Sequence, residues 1–294
     1  MRVGCFHVHD PVPELNEPYA FASLSPWIDV NGVGSLVLRE LETRLGATEL
    51  AVLSRPGRFY DYTRYRPTIR IEDGIRDLSI PTTHLHYATR KGRNDIILLR
   101  LQEPHATSEF YVDSVVKLLK TLGTKRYVLL GSMYDMVPHT RPLLISGYGM
   151  GKEAREEVRK AHALPLVHHG PSSIVNLVTK RLADGGIDAL ALVVSLPQYV
   201  VMEEDHLGKV RLLEVLNMLY DIPVDTEDFD RALEQRKLIG EKVDDSPQIK
   251  ALLPQLEKAY ELRLQTAEAE GTPRMTSEME DMLWSVPEKD IGKA

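Results

Sequence analysis

The sequence predicts an α/β fold: a largely parallel sheet covered by helices on both faces, followed by a purely helical C-terminal extension. Three observations predict it. Short apolar runs bounded by Gly and Pro alternate with segments of helical period through most of the chain. Two of the runs, 127–130 and 189–196, read as buried strands. Beyond Asp225 the strand-like runs stop and only helical periodicity continues. A chain of 294 residues suffices for one large core, or one core with an appendage.

Taken in order, residues 11–31 carry Pro11, Pro13, Pro18 and Pro26 and predict a loop-rich entry up to a short strand-like patch, Trp27-Ile28-Asp29-Val30. Asn31-Gly32-Val33-Gly34-Ser35 then opens a helix, with Leu36, Val37, Leu41 and Leu45 at helical spacing and Gly46 as its stop. Residues 51–53 make a short strand. Thr68, Ile69 and Ile71 make another, with Glu72-Asp73-Gly74 as a hairpin turn. Residues 96–101 form an apolar strand and 110–122 a helix ended by Gly123.

The central stretch, 127–147, reads YVLLGSMYDMVPHTRPLLISG. It holds an apolar run that breaks at Gly131, a polar loop with His139-Thr140-Arg141-Pro142, and a second run from Leu143. A charged helix over 152–161, a helix over 174–182, the strand over 189–196 and an amphipathic helix over 206–219 complete a core domain assigned to 1–224. In the extension, 225–270, Thr226 with Glu227 and Asp228 marks a helix start, and Asp245-Ser246-Pro247 separates two helices of a hairpin. Ile249, Leu252, Leu253, Leu256 and Tyr260 form one apolar stripe, which must pack on the body or on another subunit. Residues 271–294 read as an acidic, loosely ordered tail in which Met282, Leu283 and Trp284 are docking candidates.

Composition excludes more than it selects. The net charge of -7 is uneven, since residues 241–294 hold 12 acidic and 7 basic residues while 1–240 hold 31 and 29. A basic stripe that would neutralise phosphates is missing, so no nucleic-acid partner is expected. The single cysteine, Cys5, excludes an intrachain disulfide and fits a reducing cytoplasm. The N-terminal residues MRVGCFHVHDPVPEL do not read as a signal peptide, and the run 189–196 is far shorter than the roughly 20 residues of a membrane helix. The expectation is a cytoplasmic protein without a membrane segment.

Several constellations are candidates for a site. Gly32, Gly34 and Ser35 open a helix, where backbone N–H groups and the dipole favour an anion; the same residues also suit a tight turn with Ser35 as a cap, and they lack dinucleotide or P-loop spacing. Gly170-Pro171-Ser172-Ser173, beside His168-His169, is a second anion site or an N-cap, and lacks the Gly-x-Ser-x-Gly elbow of a nucleophile. On a strand Cys5, His7 and His9 would share one side, and His84 and His86 repeat the spacing. Without paired cysteines or a His-Glu-x-x-His pattern, no metal is assigned and no cofactor is expected. Asp61, Tyr62 and Arg66 are either an ion pair closing the sheet edge or polar walls of a cleft, and His139 and Arg141 are either an acid or base with a charge stabiliser or a Pro-fixed clamp.

These residues also carry a resemblance. Pro26-Trp27-Ile28-Asp29 with Gly32, Asp61-Tyr62 leading to Arg66-Pro67, Glu103-Pro104, His139-Thr140-Arg141-Pro142, Gly170-Pro171-Ser172 and Pro197-Gln198-Tyr199 occur in one order over roughly residues 20–225. In this the chain resembles the proteasome assembly chaperone two family. The resemblance implies a three-layer α/β/α sandwich like that of purine nucleoside phosphorylases, and an oligomeric interaction protein whose relatives are linked to proteasome assembly. The acidic helical extension looks like the bacterial, actinobacterial subgroup. The family's proteasome-docking C-terminal signature is missing from Asp290-Ile291-Gly292-Lys293-Ala294.

Two functions follow as expectations. The first is a non-catalytic homo-oligomer, with a trimer as the expected count, that binds protein partners in the manner of an assembly chaperone and uses the stripe of Ile249, Leu252, Leu253, Leu256 and Tyr260. The alternative is an enzyme or binder of a nucleoside-like or phosphorylated small molecule. Its cleft would be built from Gly32, Gly34, Ser35, Asp61, Arg66, His139, Arg141, Ser172, Ser173 and Tyr199. A single pocket lined by Gly32, Arg141 and Ser172 would favour the second, and Arg141 buried against Asp61 a structural role.

Overall fold

The elements run β1 (Arg2–Val3), β2 (Phe6–Val8), β3 (Tyr19–Ser25), α1 (Val33–Arg44), β4 (Thr48–Leu53), β5 (Thr68–Glu72), β6 (Ile75–Ser79), β7 (His84–Ala88), β8 (Ile96–Gln102), α2 (Ser108–Thr121) and β9 (Arg126–Asp135). There follow β10 (Ile145–Met150), α3 (Lys152–Lys160), β11 (Leu164–Pro165), α4 (Ile174–Asp184), β12 (Asp188–Pro197), α5 (His206–Tyr220), α6 (Thr226–Asp244) and α7 (Pro247–Ala269). This computed structural model describes residues 1–167 and 170–272. His168-His169, the docking candidates Met282, Leu283 and Trp284, and the last five residues lie outside the described residues.

Among the described residues ten strands form one sheet in the order β1-β2-β4-β7-β8-β3-β9-β12-β10-β11. The expected largely parallel sheet is corrected to a mixed one. The central block, β8-β3-β9-β12, is parallel and so is the edge pair β10-β11, but β7 meets β8, and β10 meets β12, antiparallel. The connection 89–95 between β7 and β8 is too short for the dozen or more residues of a parallel crossover. A second correction concerns the entry, where the strand is not the patch beginning at Trp27 but the preceding YAFASLS of β3, between Pro18 and Pro26.

Both sheet faces are apolar because the strand period sends neighbours to opposite sides. Ala20, Ala22, Leu129, Ala189 and Ala191 pack with α2 and α4, whereas Phe21, Val128, Leu130, Leu190 and Leu192 pack with α1, α3 and α5. Arg126 starts β9 with 2 % of its side chain exposed and stitches β12 to α3 through Asp188 (2.9 Å), Glu153 (2.7 Å) and Glu157 (3.3 Å).

The extension lies on its own body. Buried Lys209 of α5 pairs with Asp228 of α6 and with Glu40 of α1 at 3.3 Å, and Arg44 reaches Asp228 at 2.7 Å. Leu256 and Tyr260 of the stripe are buried, Ile249 and Leu253 are half-buried against Val200, Ile239 and Val243, and Leu252 stays exposed. Among the described residues no helix is long and apolar enough to cross a membrane.

Burial alone would raise the Asp228 carboxyl, but the hydrogen bonds from Lys209 and Arg44 prevail and hold it below the ordinary carboxylate range. A depressed folded-state pKa contributes stability that is complete above the unfolded value, about 4, and is lost as the pH falls through the lower folded value. Asp228→Ala is expected to lower the unfolding free energy by about 3–5 kcal/mol at pH 7, because Lys209 is left buried. The double replacement Lys209→Met/Asp228→Leu should recover most of that loss. Urea unfolding of the three chains measures both, and an Asp228→Ala chain as stable as wild type would show that this joint does not hold the extension.

Candidate functional site

The sequence offered two helix starts to an anion, and at both the chain supplies the acceptor itself. At α1, Asp29 Oδ1 accepts from the Ser35 backbone N–H (3.1 Å), and Oδ2 accepts from the hydroxyls of Ser35 (2.5 Å) and Ser25 (2.8 Å). Gly32 has φ +68°, and a Cβ on Gly34 would lie 2.7 Å from the Leu130 carbonyl oxygen. Gly34 lets α1 sit close on β9, and Gly32 supplies the left-handed turn before it. At α4, the Ser173 hydroxyl accepts from Val175 N–H (3.4 Å) and Glu103 Oε1 accepts from Ile174 N–H (3.3 Å). Burial pushes the Glu103 carboxyl up, against the hydrogen bond from Ile174.

Between these starts, at the C-terminal ends of β3 and β9, lies a cleft of about 180 Å³. Crevices beyond strand carboxyl ends are where open α/β sheets take ligands. Ile28, Leu129, Met133, Val175 and Ala191 make it mostly apolar, Trp27 stands exposed among its lining residues, and Tyr148, Ser172, Ser173 and Asn176 are its polar groups. Asn176 is held from both sides, donating to Ser172 Oγ and accepting from Tyr148 Oη at 2.7 Å. Neither Gly32 nor Arg141 lines this cleft.

His139 and Tyr199 do meet. The Tyr199 hydroxyl accepts from the His139 backbone N–H (2.7 Å) and lies 2.9 Å from its Nδ1. A phenol that accepts there and gives its single proton to Nδ1 requires a neutral imidazole. Burial, aided by the Arg236 charge, accordingly pushes His139 below the usual histidine value. The same loop is covered by α7: Thr140 donates to Glu257 (2.6 Å), Tyr260 donates to the Pro142 carbonyl (3.0 Å), and Arg141 lies 3.8 Å from Glu261 rather than against Asp61. At the rim of β9, burial would raise Asp135, but Arg263 (2.5 Å) and Ser195 (2.8 Å) donate to it and hold it low.

The remaining candidates sit apart. Asp61 is exposed, accepts from Thr63 and lies 3.9 Å from Arg64; Arg66 is exposed nearby. Cys5 is buried ahead of β2 while His7 points outward, so the three residues expected on one side are divided. His9 and His84 instead hold Glu49 between them, at 2.9 and 2.5 Å, and among the described residues no group of three suits a metal. A second cavity, of about 60 Å³, lies between α5 and α6; in it burial, opposed by Arg211, pushes Glu214 up to about 7.

Sequence reasoning missed Asp29 as the acceptor at α1 because it lies six residues before Ser35, beyond the reach of an adjacent-cap pattern. It also missed the Asp135–Arg263 and Lys209–Asp228 pairs, whose partners are 128 and 19 residues apart. The landmarks Pro26-Trp27-Ile28-Asp29 and Glu103-Pro104 contain both carboxylates, but nothing local in them marks either as the acceptor at a helix start.

Fold and site define a mixed α/β sheet protein with a docked helical extension, whose prominent polar side chains mostly bind one another. The profile of the PAC2 family matches residues 23–243, and the chain belongs to that family. Among curated proteins none matches. Among solved structures, a protein of unknown function from Corynebacterium glutamicum is similar with a TM-score of 0.79 at 20% identity, over 90% of this chain and 100% of that one. The Mycobacterium tuberculosis proteasome-assembly chaperone homologue Rv2125 gives 0.71 at 21%, over 80% and 99%. Pyrococcus furiosus PbaB, an archaeal proteasome activator, gives 0.62 at 16%, over 83% and 100%. At these identities the likeness is one of fold.

Tyr199→Phe removes both hydrogen bonds to the His139 loop and is expected to cost about 1–3 kcal/mol in urea unfolding. In an NMR titration His139 should show a midpoint below the ordinary value of about 6.5. The unfolded chain then binds the proton more readily, so this group contributes nothing to pH dependence well above 6.5 and lowers stability as the pH falls below it. A midpoint at or above 6.5 would contradict the neutral clamp.

Proposed function

We propose that the chain is a non-catalytic, homo-oligomeric interaction protein that binds protein partners in the manner of an assembly chaperone, working in the cytoplasm. The observation that carries it is the internal capping of α1 and α4: the N–H groups that would grip a phosphate already bind Asp29, Ser173 and Glu103. Membership of the PAC2 family and the fold likeness to a proteasome-assembly chaperone homologue support the same reading. In this reading the core is a phosphorylase-like sandwich without phosphorylase chemistry, and three copies assemble. Gly32, Gly34, Ser35, His139 and Tyr199 hold the strand rim, and Asp61 and Arg66 belong to the surface beside the β5–β6 hairpin.

One observation favours the alternative of a small-molecule binder: the cleft beside Trp27, with Tyr148 and Asn176 fixed in it. Two measurements separate the readings. Light scattering at micromolar concentration should give a mass above the 33.2 kDa of one chain. Thermal unfolding with millimolar phosphate and a nucleoside panel should leave the midpoint unchanged within about 1 °C, since only a ligand of the folded state raises it. A rise of several degrees that disappears in Asn176→Ala would establish the cleft as a ligand site instead.

A further inference from the structure

The β5–β6 hairpin is the part of the fold least accounted for. It is inserted between the adjacent strands β4 and β7, and all ten of its strand residues are exposed. Its register gives it two unlike faces. Ile69 opposes Leu78 and Ile71 opposes Arg76 on one side; Thr68 with Ser79, Arg70 with Asp77, and Glu72 with Ile75 share the other. Ile69, Ile71 and Leu78 are 53, 65 and 54% exposed and together present roughly 300 Å² in one patch, the size of the largest apolar patch on a typical monomer, which is often functional. A two-stranded hairpin is marginal in water unless its apolar face is covered.

We propose that this hairpin docks on the α6–α7 extension of a second copy of the chain, head to tail; the inference rests on the self-association proposed above and specifies its contact. Three observations select that occupant. The extension carries exposed leucines of its own, Leu238 (52%) on α6 and Leu252 (38%) on α7, on either side of the two-residue link 245–246. Charge supports it at two places: Arg76 is the only charged residue on the apolar face of the hairpin, and the loop 55–67 leading into it holds four arginines against one acid, whereas residues 225–270 hold 12 acidic and 7 basic residues. Hairpin and extension also lie on opposite flanks. The hairpin joins β4 to β7, whereas α7 contacts Ser146 of β10 and packs with Leu164 of β11, with β8, β3, β9 and β12 between. Two unlike surfaces on opposite flanks generate a heterologous contact, which closes a ring when the rotation permits.

The test uses the full-length chain, sedimentation velocity, an Ile71→Glu/Leu78→Glu hairpin variant and a Leu238→Glu/Leu252→Glu extension variant. All four positions are exposed, so far-UV circular dichroism and melting temperature should stay at wild-type values; should either variant unfold, serine replaces glutamate at the same positions. Wild type is expected to sediment as an oligomer and each variant alone as a monomer. Mixed in equal amounts they should form a dimer and nothing larger, because one intact hairpin then meets one intact extension. A hairpin variant of wild-type size, an extension variant of wild-type size, or a mixture that stays monomeric would each overturn the contact while leaving self-association standing. A monomeric wild type would overturn self-association itself.

Discussion

A lysine that cannot be left alone ties the extension to the core. Lys209 sits on α5 with 2 % of its side chain exposed, and an ammonium there needs compensation that Glu40, at 3.3 Å, supplies only in part. Asp228 supplies the rest from the first turn of α6, with Arg44 of α1 joining from the other side. The joint therefore spans α1, α5 and α6. With α6 fixed, the two-residue link to α7 brings Tyr260 and Glu257 onto the loop that follows β9 and Arg263 onto Asp135 at the end of that strand. A core without the extension would keep a buried cation short of a counter-charge and expose Val137, Leu144 and Leu164.

The same economy of internal partners governs the strand rim. A helix start leaves backbone N–H groups without intrahelical partners, and in many α/β proteins a ligand anion satisfies them. Here two carboxylates of the chain do so. Asp29 and Glu103 each follow the end of a neighbouring parallel strand, β3 and β8, so the sheet itself delivers them to the helices. An internal carboxylate is held at fixed geometry and is not exchanged for a ligand without repacking. The consequence at these two helix starts is a rim that positions backbone rather than presenting donors, with the apolar cleft beside Trp27 open between them.

Periodicity made the helices legible: the patterns over 110–122, 174–182 and 206–219 correspond to α2, α4 and α5 within a few residues at each end. The hairpin turn at Asp73-Gly74 was legible too, since both residues take positive φ, as a tight two-residue turn requires. What failed was strand composition. YAFASLS lies between prolines and is rich in Ala and Ser, so its apolar run is short and weak, although small residues suit a strand with helices close on both faces. Gly131 was read as a break, but β9 continues through it to Asp135. A Cβ there would lie 2.6 Å from the Ile28 carbonyl oxygen, so the glycine marks a close backbone approach. The site residues that escaped notice pair at separations that no local motif covers, from six residues for Asp29 with Ser35 to 128 for Asp135 with Arg263.

The two appendages of the core differ in a way that composition does not reveal. The acidic extension looks, from its charge, like a solvated arm, yet its buried residues Asp228, Leu256 and Tyr260 are satisfied within the chain. The β5–β6 hairpin looks like ordinary sheet, with alternating isoleucines and a good turn, yet none of it is buried. A helix can satisfy its own backbone, whereas a two-stranded hairpin leaves both outer edges and, here, an apolar face without partners. Exposed apolar residues gather on the hairpin, whereas the two helix starts that first resembled an active site are capped by the chain's own carboxylates.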